Sequence, residues 1–288
     1  MKHYMKYLMA VMLFGFNGIV ASFISLTSYE IVYLRTFIGS LLLIGLFKIT
    51  GGKFHIKQYK KDSFLILLSG IELGTSWMFL HEAYQQIGVS FASLLYYCGP
   101  VIVMILSPVI FKEKLTVLKM FGFATVLIGI VFVNGKAMLY GGNHWGIFYG
   151  LMSAIMFAAM VICNKQSKEI VGMENATIQL TASFLTVAVF TIIRKGILLQ
   201  IIPHEIPWIL FLGVVNTGLG CYLYFSSLGK LPVQTVAVCG YIEPLSAVVF
   251  SALLLHERMT SLQIVGAICI IGGAMMGELL GGKASQKY

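Results

Sequence analysis

Apolar stretches without a single charged side chain recur along the chain. Tyr7 to Tyr29, Ala83 to Phe111, Asn175 to Ile193 and Ile206 to Gly229 are four of them. Each holds the roughly 20 residues that cross about 30 Å of hydrocarbon as a helix. The pattern predicts ten spans, centred near residues 14, 39, 73, 100, 126, 155, 185, 217, 243 and 270, joined by loops too short to fold alone. The expected fold is therefore an all-α integral membrane protein. The first of these runs follows a basic start, as in a signal peptide, but Phe16 aligns with Phe157 of the later sequence, so it is read as helix 1.

The pattern repeats. Pro100 and Pro244 lie 144 residues apart in a chain of 288, and each is followed thirteen residues later by a Glu, Glu113 and Glu257. The same offset aligns Tyr97 with Tyr241, Ser107 with Ser251, Thr116 with Thr260, Leu118 with Leu262, Gly122 with Gly266 and Gly129 with Gly273. Pro, Glu and Gly are rare or costly in apolar helices, so their coincidence carries more weight than the apolar matches. Two repeats, 1–137 and 138–288, would share the ten helices as five each. An odd number inverts the second repeat in the membrane, which makes the expected architecture two inverted five-helix repeats.

Composition and charge agree with a membrane setting. The chain is 58% hydrophobic and 11% charged, against about 25% charged in soluble domains. With both termini on the cytoplasmic side, Lys136, Arg194, Lys195 and Arg258 lie outside, Arg35 lies within a helix and the other fifteen Lys lie inside. The net charge of +9 is then topology and contact with anionic lipid of the cell membrane, and a nucleic-acid partner gains nothing from it.

Ionisable side chains deep in spans cost about 2.5–3.5 kcal/mol each if they face lipid. Arg35, Glu72, Glu243 and, nearer an end, His81 and Glu82 are therefore expected to face the bundle. Arg35 suits either a structural ion pair or direct substrate contact. Glu72 lies between Gly70 and Gly74, and a face running Glu72, Ser76, Phe79 would point it inward. Glu243 precedes Pro244, whose missing N–H frees the carbonyl of Gly240. Carboxylate and kink together fit a binding site, or a neutral Glu bonded within the kink. Tyr96, Tyr97, Tyr241, Tyr222, Tyr224 and Trp77 gather at similar depth. Such rings hold organic cations or stack on flat substrates, although most are packing residues. Asn17, Asn216 (the repeat partner of Glu72) and Gln179 (that of Arg35) complete a polar ring, with Pro100 and Pro244 as hinges.

No nucleophile, metal or phosphate-binding motif is present, which argues against an enzyme and against any metal or other cofactor. The five Cys fall in spans without C-x-x-C spacing and read as packing residues.

The twice-occurring Pro, the acidic-basic turns Lys112-Glu113-Lys114 and His256-Glu257-Arg258, the following Gly-spaced helices and Arg35-Thr36-Phe37 resemble the drug/metabolite transporter superfamily, EamA-type family, over nearly the whole chain. The resemblance implies alternating access around a central cavity lined by helices 3, 4, 8 and 9, with the last helix of each repeat peripheral. It also implies that Glu113 and Glu257 close the ends of helices 4 and 9 as structural caps in salt-bridged turns. The expected function is a secondary carrier of a small polar or amphipathic metabolite, cationic or zwitterionic by preference, because Glu72 and Glu243 outnumber Arg35. The carboxylate left unpaired would take an ammonium group or a coupling proton. The alternatives are a neutral or aromatic amino-acid carrier, with Arg35 on the carboxylate and Tyr97 and Tyr241 stacking, or a receptor without turnover. The spacings Gly146/Gly150 and Gly273/Gly277 suit close helix contacts within or between protomers.

Overall fold

The structure, a computed structural model, describes residues 2–113, 116–134, 143–195, 200–254 and 260–276. Glu257 and its neighbours His256 and Arg258, together with Lys114, Lys136 and Gly277, lie outside them. Every regular element among the described residues is helical. Among the described residues seven segments are long and apolar enough to cross a membrane: Lys2–Ala21, Ser28–Ile49, Lys60–Ile87, Phe91–Phe111, His144–Gln166, Gly172–Arg194 and Pro203–Leu228. The stretches centred near 126 and 270 form shorter apolar helices, Val117–Phe132 and Ile264–Gly273. The stretch near 243 is divided in two at Tyr241.

The breaks are local and have identifiable causes. The first span consists of α1 (Lys2–Gly15) and α2 (Asn17–Ala21), followed by α3 (Ser28–Ile49) and α4 (Lys60–Ile87). The fourth span divides into α5 (Val89–Tyr96) and α6 (Cys98–Phe111) at Tyr97, with φ −68° and ψ −3°. After α7 (Val117–Asn134), α8 (His144–Gln166) and α9 (Gly172–Lys195), a short α10 (Ile206–Leu210) runs into a π-helical stretch, Phe211–Leu219, and then α11 (Gly220–Leu228). The chain breaks again at Tyr241, φ −72° and ψ −4°, between α12 (Val233–Gly240) and α13 (Ile242–Leu254), before α14 (Ser261–Met275). At both tyrosine breaks a proline three residues on lacks the N–H that would bond the carbonyl four residues back, and the helix restarts with a changed direction.

Interhelical approach rests on small residues. A Cβ added at Gly70 would stand 2.5 Å from the Gln179 carbonyl oxygen, and one at Gly74 2.7 Å from that of Ser183, so α4 lies backbone to backbone on α9. Ser69 Oγ donates to the Met160 carbonyl at 2.8 Å and Ser76 Oγ to that of Ser153 at 2.8 Å, joining the same helix to α8. Helices α7 and α14 meet through repeat-equivalent glycines: a Cβ at Gly129 would lie 2.6 Å from Gly266 O, and one at Gly273 2.4 Å from Gly122 O. Overpacking such a contact costs about 1–3 kcal/mol. Gly70→Ala should therefore lower the melting temperature of the detergent-purified protein by several degrees. Gly45→Ala, where a Cβ has open space, should leave it unchanged.

Polar contacts identify the two ends of the bundle. At one end His55 Nδ1 lies 3.0 Å from Glu174, and Asp62 accepts from the Lys168 and Glu169 amides at 2.8 and 2.7 Å. This end also holds the exposed Lys48, Lys53, Lys57, Lys60 and Lys61. At the other end Arg194 pairs with Glu82 at 3.2 Å, Tyr29 donates to the same carboxylate, and the Ser25 amide donates to Glu205 at 3.0 Å.

Candidate functional site

The kinked helices enclose a cavity of about 70 Å³ at the middle of the bundle. Its walls come from α1, α2, α3, α4, α5, α6, α8, α11, α12 and α13, while the described residues of α7, α9 and α14 contribute none. That volume holds a few waters and falls well short of the roughly 300 Å³ of an open small-molecule site.

Arg35 and Glu243 both line the cavity. The Arg35 guanidinium stands 4.2 Å above the Trp77 ring, a cation–π contact that holds its plane without using its N–H donors. Among the described residues, neither side chain makes a hydrogen bond or an ion pair within 4.0 Å. A fixed cation and a carboxylate thus share one cavity, each with its bonding capacity unspent. Tyr224 also lines the cavity, its ring centre 5.2 Å from that of Tyr7.

The kinks supply acceptors. Pro100 leaves the carbonyl of Tyr96 without its helical donor, and Pro244 does the same for Gly240. Tyr96 and Gly240, repeat-equivalent residues, both line the cavity. Tyr97 and Pro100 line it too, whereas Tyr241 is fully buried behind the break and donates from its hydroxyl to the Tyr97 carbonyl at 2.9 Å. The two equivalent tyrosines therefore differ: one faces the cavity and the other clamps the two kinks together.

The polar ring read from the sequence divides. Asn17 lines the cavity; Asn216, in the π-helical stretch, lies behind it and donates to the Asn17 side chain at 3.1 Å and to the Leu13 carbonyl at 3.2 Å. The π stretch is thereby fastened to the interruption at Phe16, the kind of irregular backbone that recurs at functional sites. Gln179 joins a separate buried cluster, accepting from Asn164 and donating to Ser69 Oγ at 2.9 Å. Tyr222 lies off the cavity with Lys6 5.2 Å from its ring centre. His81 and Glu82 fall toward the Arg194 end.

Glu72 also stands off the cavity. One of its oxygens accepts from the Cys163 thiol at 3.6 Å and the other is buried without a partner. The stripe Glu72, Ser76, Phe79 packs on α8, where Ser76 bonds to Ser153 and Phe79 stacks on Tyr149 at 5.9 Å. The adjacent stripe, Leu73 and Trp77, faces the cavity instead. At 3.6 residues per turn the two stripes are one residue apart in sequence and about 100° apart on the helix, and the serine bonds to α8 select which one turns inward.

Tyr7, Phe14 and Phe157 line the cavity without having been singled out by the sequence pattern. Tyr7 donates to the Val236 carbonyl at 2.8 Å, next to the second kink. A lone aromatic in an apolar helix carries no signal of this role.

Glu113 differs from the expected cap of its own helix. Lys112 turns the chain through the left-handed region (φ 56°), and the carboxylate crosses to the other repeat, accepting from the Val233 and Gln234 amides at 2.8 and 3.2 Å. It caps α12, through backbone donors in place of a salt bridge.

The profile of the EamA-like transporter family matches residues 1–135 and 144–277. "Uncharacterized transporter YxxF" of Bacillus subtilis (strain 168) is 23% identical over 93% of this chain and 86% of its own length. "Uncharacterized transporter YoaV" of the same organism is 27% identical over 84% of each. A solved crystal structure superposes with a TM-score of 0.84 over 96% of this chain and 98% of its own, at 16% identity, a likeness of fold.

Proposed function

We propose, from the premise that this chain belongs to the EamA-like transporter family, that it is a secondary carrier of a small zwitterionic metabolite working by alternating access. The observation that carries this reading is the pair of unspent opposite charges, Arg35 and Glu243, on one aromatic-walled cavity. Arg35 suits a carboxylate, which its planar fork can bind through two bonds. Glu243 suits an ammonium group, with the loose carbonyls of Tyr96 and Gly240 as further acceptors. Trp77, Tyr96 and Tyr97 form the apolar wall. With Glu72 outside the cavity, the charges facing the substrate balance, which favours a zwitterion over a simple cation. Glu72, buried with one unpartnered oxygen, is the candidate site for a coupling proton.

The packing supports ten spans in two inverted repeats, 1–137 and 138–288; a cell-membrane setting with cytoplasmic termini is proposed from the distribution of lysines along the sequence. Helix contacts exchange under the repeat: α4 on α8 corresponds to α11 on α1, and α6 on α8 to α13 on α1. Helix pairs α3 with α9 and α7 with α14 correspond to themselves. The matched breaks at Tyr97 and Tyr241 and the reciprocal glycine contacts follow the same symmetry. Family and relatives are transporters by name, which supports transport as the role of this chain.

A thermostability screen of the purified protein tests the substrate class, since a bound ligand stabilises by mass action. Amino-acid-like zwitterions should bind at least about tenfold tighter, about 1.4 kcal/mol, than the matching amine or acid lacking one charge. Equal binding of choline-like amines would move the reading to a cation carrier. Binding without uptake into sealed liposomes would make the protein a receptor.

A further inference from the structure

We propose that the membrane-facing groove between α3, α4 and α9 binds an anionic phospholipid, with one acyl chain in the groove and the phosphate at the lysine-rich end. The groove measures about 620 Å³ and is bordered by Leu67, Ile71, Leu185 and Val189, all exposed on the bundle exterior. The hydroxyls in its wall are already spent: Thr177, Thr181 and Thr186 each donate to the carbonyl four residues back, at 2.7, 2.7 and 2.9 Å. What remains presents only hydrocarbon to hydrocarbon.

The floor of the groove is built and held. The loop after α3 is fastened to α9, where the His55 amide donates to Glu174 at 2.6 Å and its ring nitrogen lies 3.0 Å from the same carboxylate. Phe54 packs against Phe47 in a tilted contact with ring centres 4.5 Å apart, and the Gly52 amide donates to the Phe47 carbonyl at 2.8 Å. In this loop, which turns at Ile56–Gln58, Phe54 and Ile56 line the groove, and Lys53 and Lys57 are exposed next to them in the chain. Lys48, Lys60 and Lys61 stand at the same end. Among the described residues none of these five lysines has an ion pair within 4.0 Å; of the acids at this end Asp62 is held by the Lys168 and Glu169 amides and Glu174 by His55, while Glu169 is exposed. An apolar channel that ends at unpaired cations matches the chain and headgroup of an acidic lipid, since lysines at a membrane surface attract anionic headgroups.

The test uses the full-length purified protein with phosphatidylglycerol and phosphatidylcholine of identical chains, read by melting temperature across a lipid titration and by lipid retained in native mass spectra. The wild type should prefer phosphatidylglycerol by on the order of tenfold in apparent affinity, a few-fold from each of two lysines. Lys53→Gln with Lys57→Gln, on an exposed loop, should bring the two lipids near parity while phosphatidylcholine binding holds. Ile71→Trp, which fills the groove from its exposed rim, should weaken both. Equal affinity in the wild type, or a preference unchanged by the lysine substitutions, would overturn the proposal. So would efficient cross-linking of two copies through Leu185→Cys, which would show a second protein chain covering the groove.

Discussion

Uptake of the proposed zwitterionic substrate into proteoliposomes is expected to fall by about 30-fold to several thousand-fold in Glu243→Gln, the range set by the roughly 2–5 kcal/mol lost when one partner of a buried charge pair is removed. The loss is large because the substrate's ammonium group would enter a cavity whose other fixed charge, Arg35, repels it. Arg35→Gln should cost a similar amount for the mirror reason, leaving the substrate carboxylate facing Glu243. The two defects should differ in specificity. Glu243→Gln should retain measurable binding of an acid lacking the ammonium group, and Arg35→Gln that of an amine lacking the carboxylate. Glu72→Gln is the informative comparison, because Glu72 lies against Cys163 and off the cavity. It should leave equilibrium binding near the wild-type value and abolish the response of uptake to an imposed pH gradient. Full proton-coupled transport by both Glu243→Gln and Glu72→Gln would sink the mechanism. Loss of binding in Glu72→Gln would place that carboxylate in the substrate site despite its position here.

Much of this arrangement was legible in the sequence, for reasons that also mark where legibility ends. A charged or kinking residue inside an apolar run is expensive, so Arg35, Glu243, Pro100 and Pro244 announce themselves, and the structure puts Arg35, Glu243 and Pro100 on one cavity. Helix rotation is set by contacts with neighbours that the sequence does not reveal. Glu72 and Trp77 are five residues apart on one helix, and only the serine bonds to α8 decide that Trp77 faces the cavity. Tyr97 and Tyr241 align perfectly in sequence, yet a single cross-repeat hydrogen bond gives them different work. The stretch near 243 is one apolar run but two helices, because the proline break falls inside it. The π-helical backbone around Asn216 left no pattern at all, since its cause is a partner 199 residues away, the side chain of Asn17.

Glu113 provides the second large expectation, because it joins the end of α6 to the start of α12 at the lysine-rich end. Its carboxylate accepts from the Val233 and Gln234 amides, two of the donors that the first turn of a helix leaves without helical acceptors. Lys119 Nζ donates to the Gln234 side chain at 2.7 Å, that side chain donates to Ser107 Oγ at 3.2 Å, and Lys165 donates to the Leu231 carbonyl. Val233 and Gln234 are 0% and 1% exposed, so removing the carboxylate strands buried N–H groups. That costs about 1–3 kcal/mol, and the cost falls only on the conformation in which these helices meet. In the alternating-access cycle proposed above these helices separate to open this end, so Glu113→Ala should shift the population toward the open form by about 5- to 150-fold, the same free energy expressed as a ratio. The measurement is the rate at which a membrane-impermeant thiol reagent labels Met104→Cys, a buried position on the Ser107 side of α6, with the five native Cys replaced. Labelling should accelerate at least about tenfold in Glu113→Ala and by less in Glu113→Gln, whose amide oxygen still accepts one bond. A zwitterion that closes the cavity should slow labelling again in both. If Glu113→Ala lowered the melting temperature and left the labelling rate unchanged, the contact would be a cap that holds the fold in every state, and the opening of this end would have to be sought elsewhere along α12.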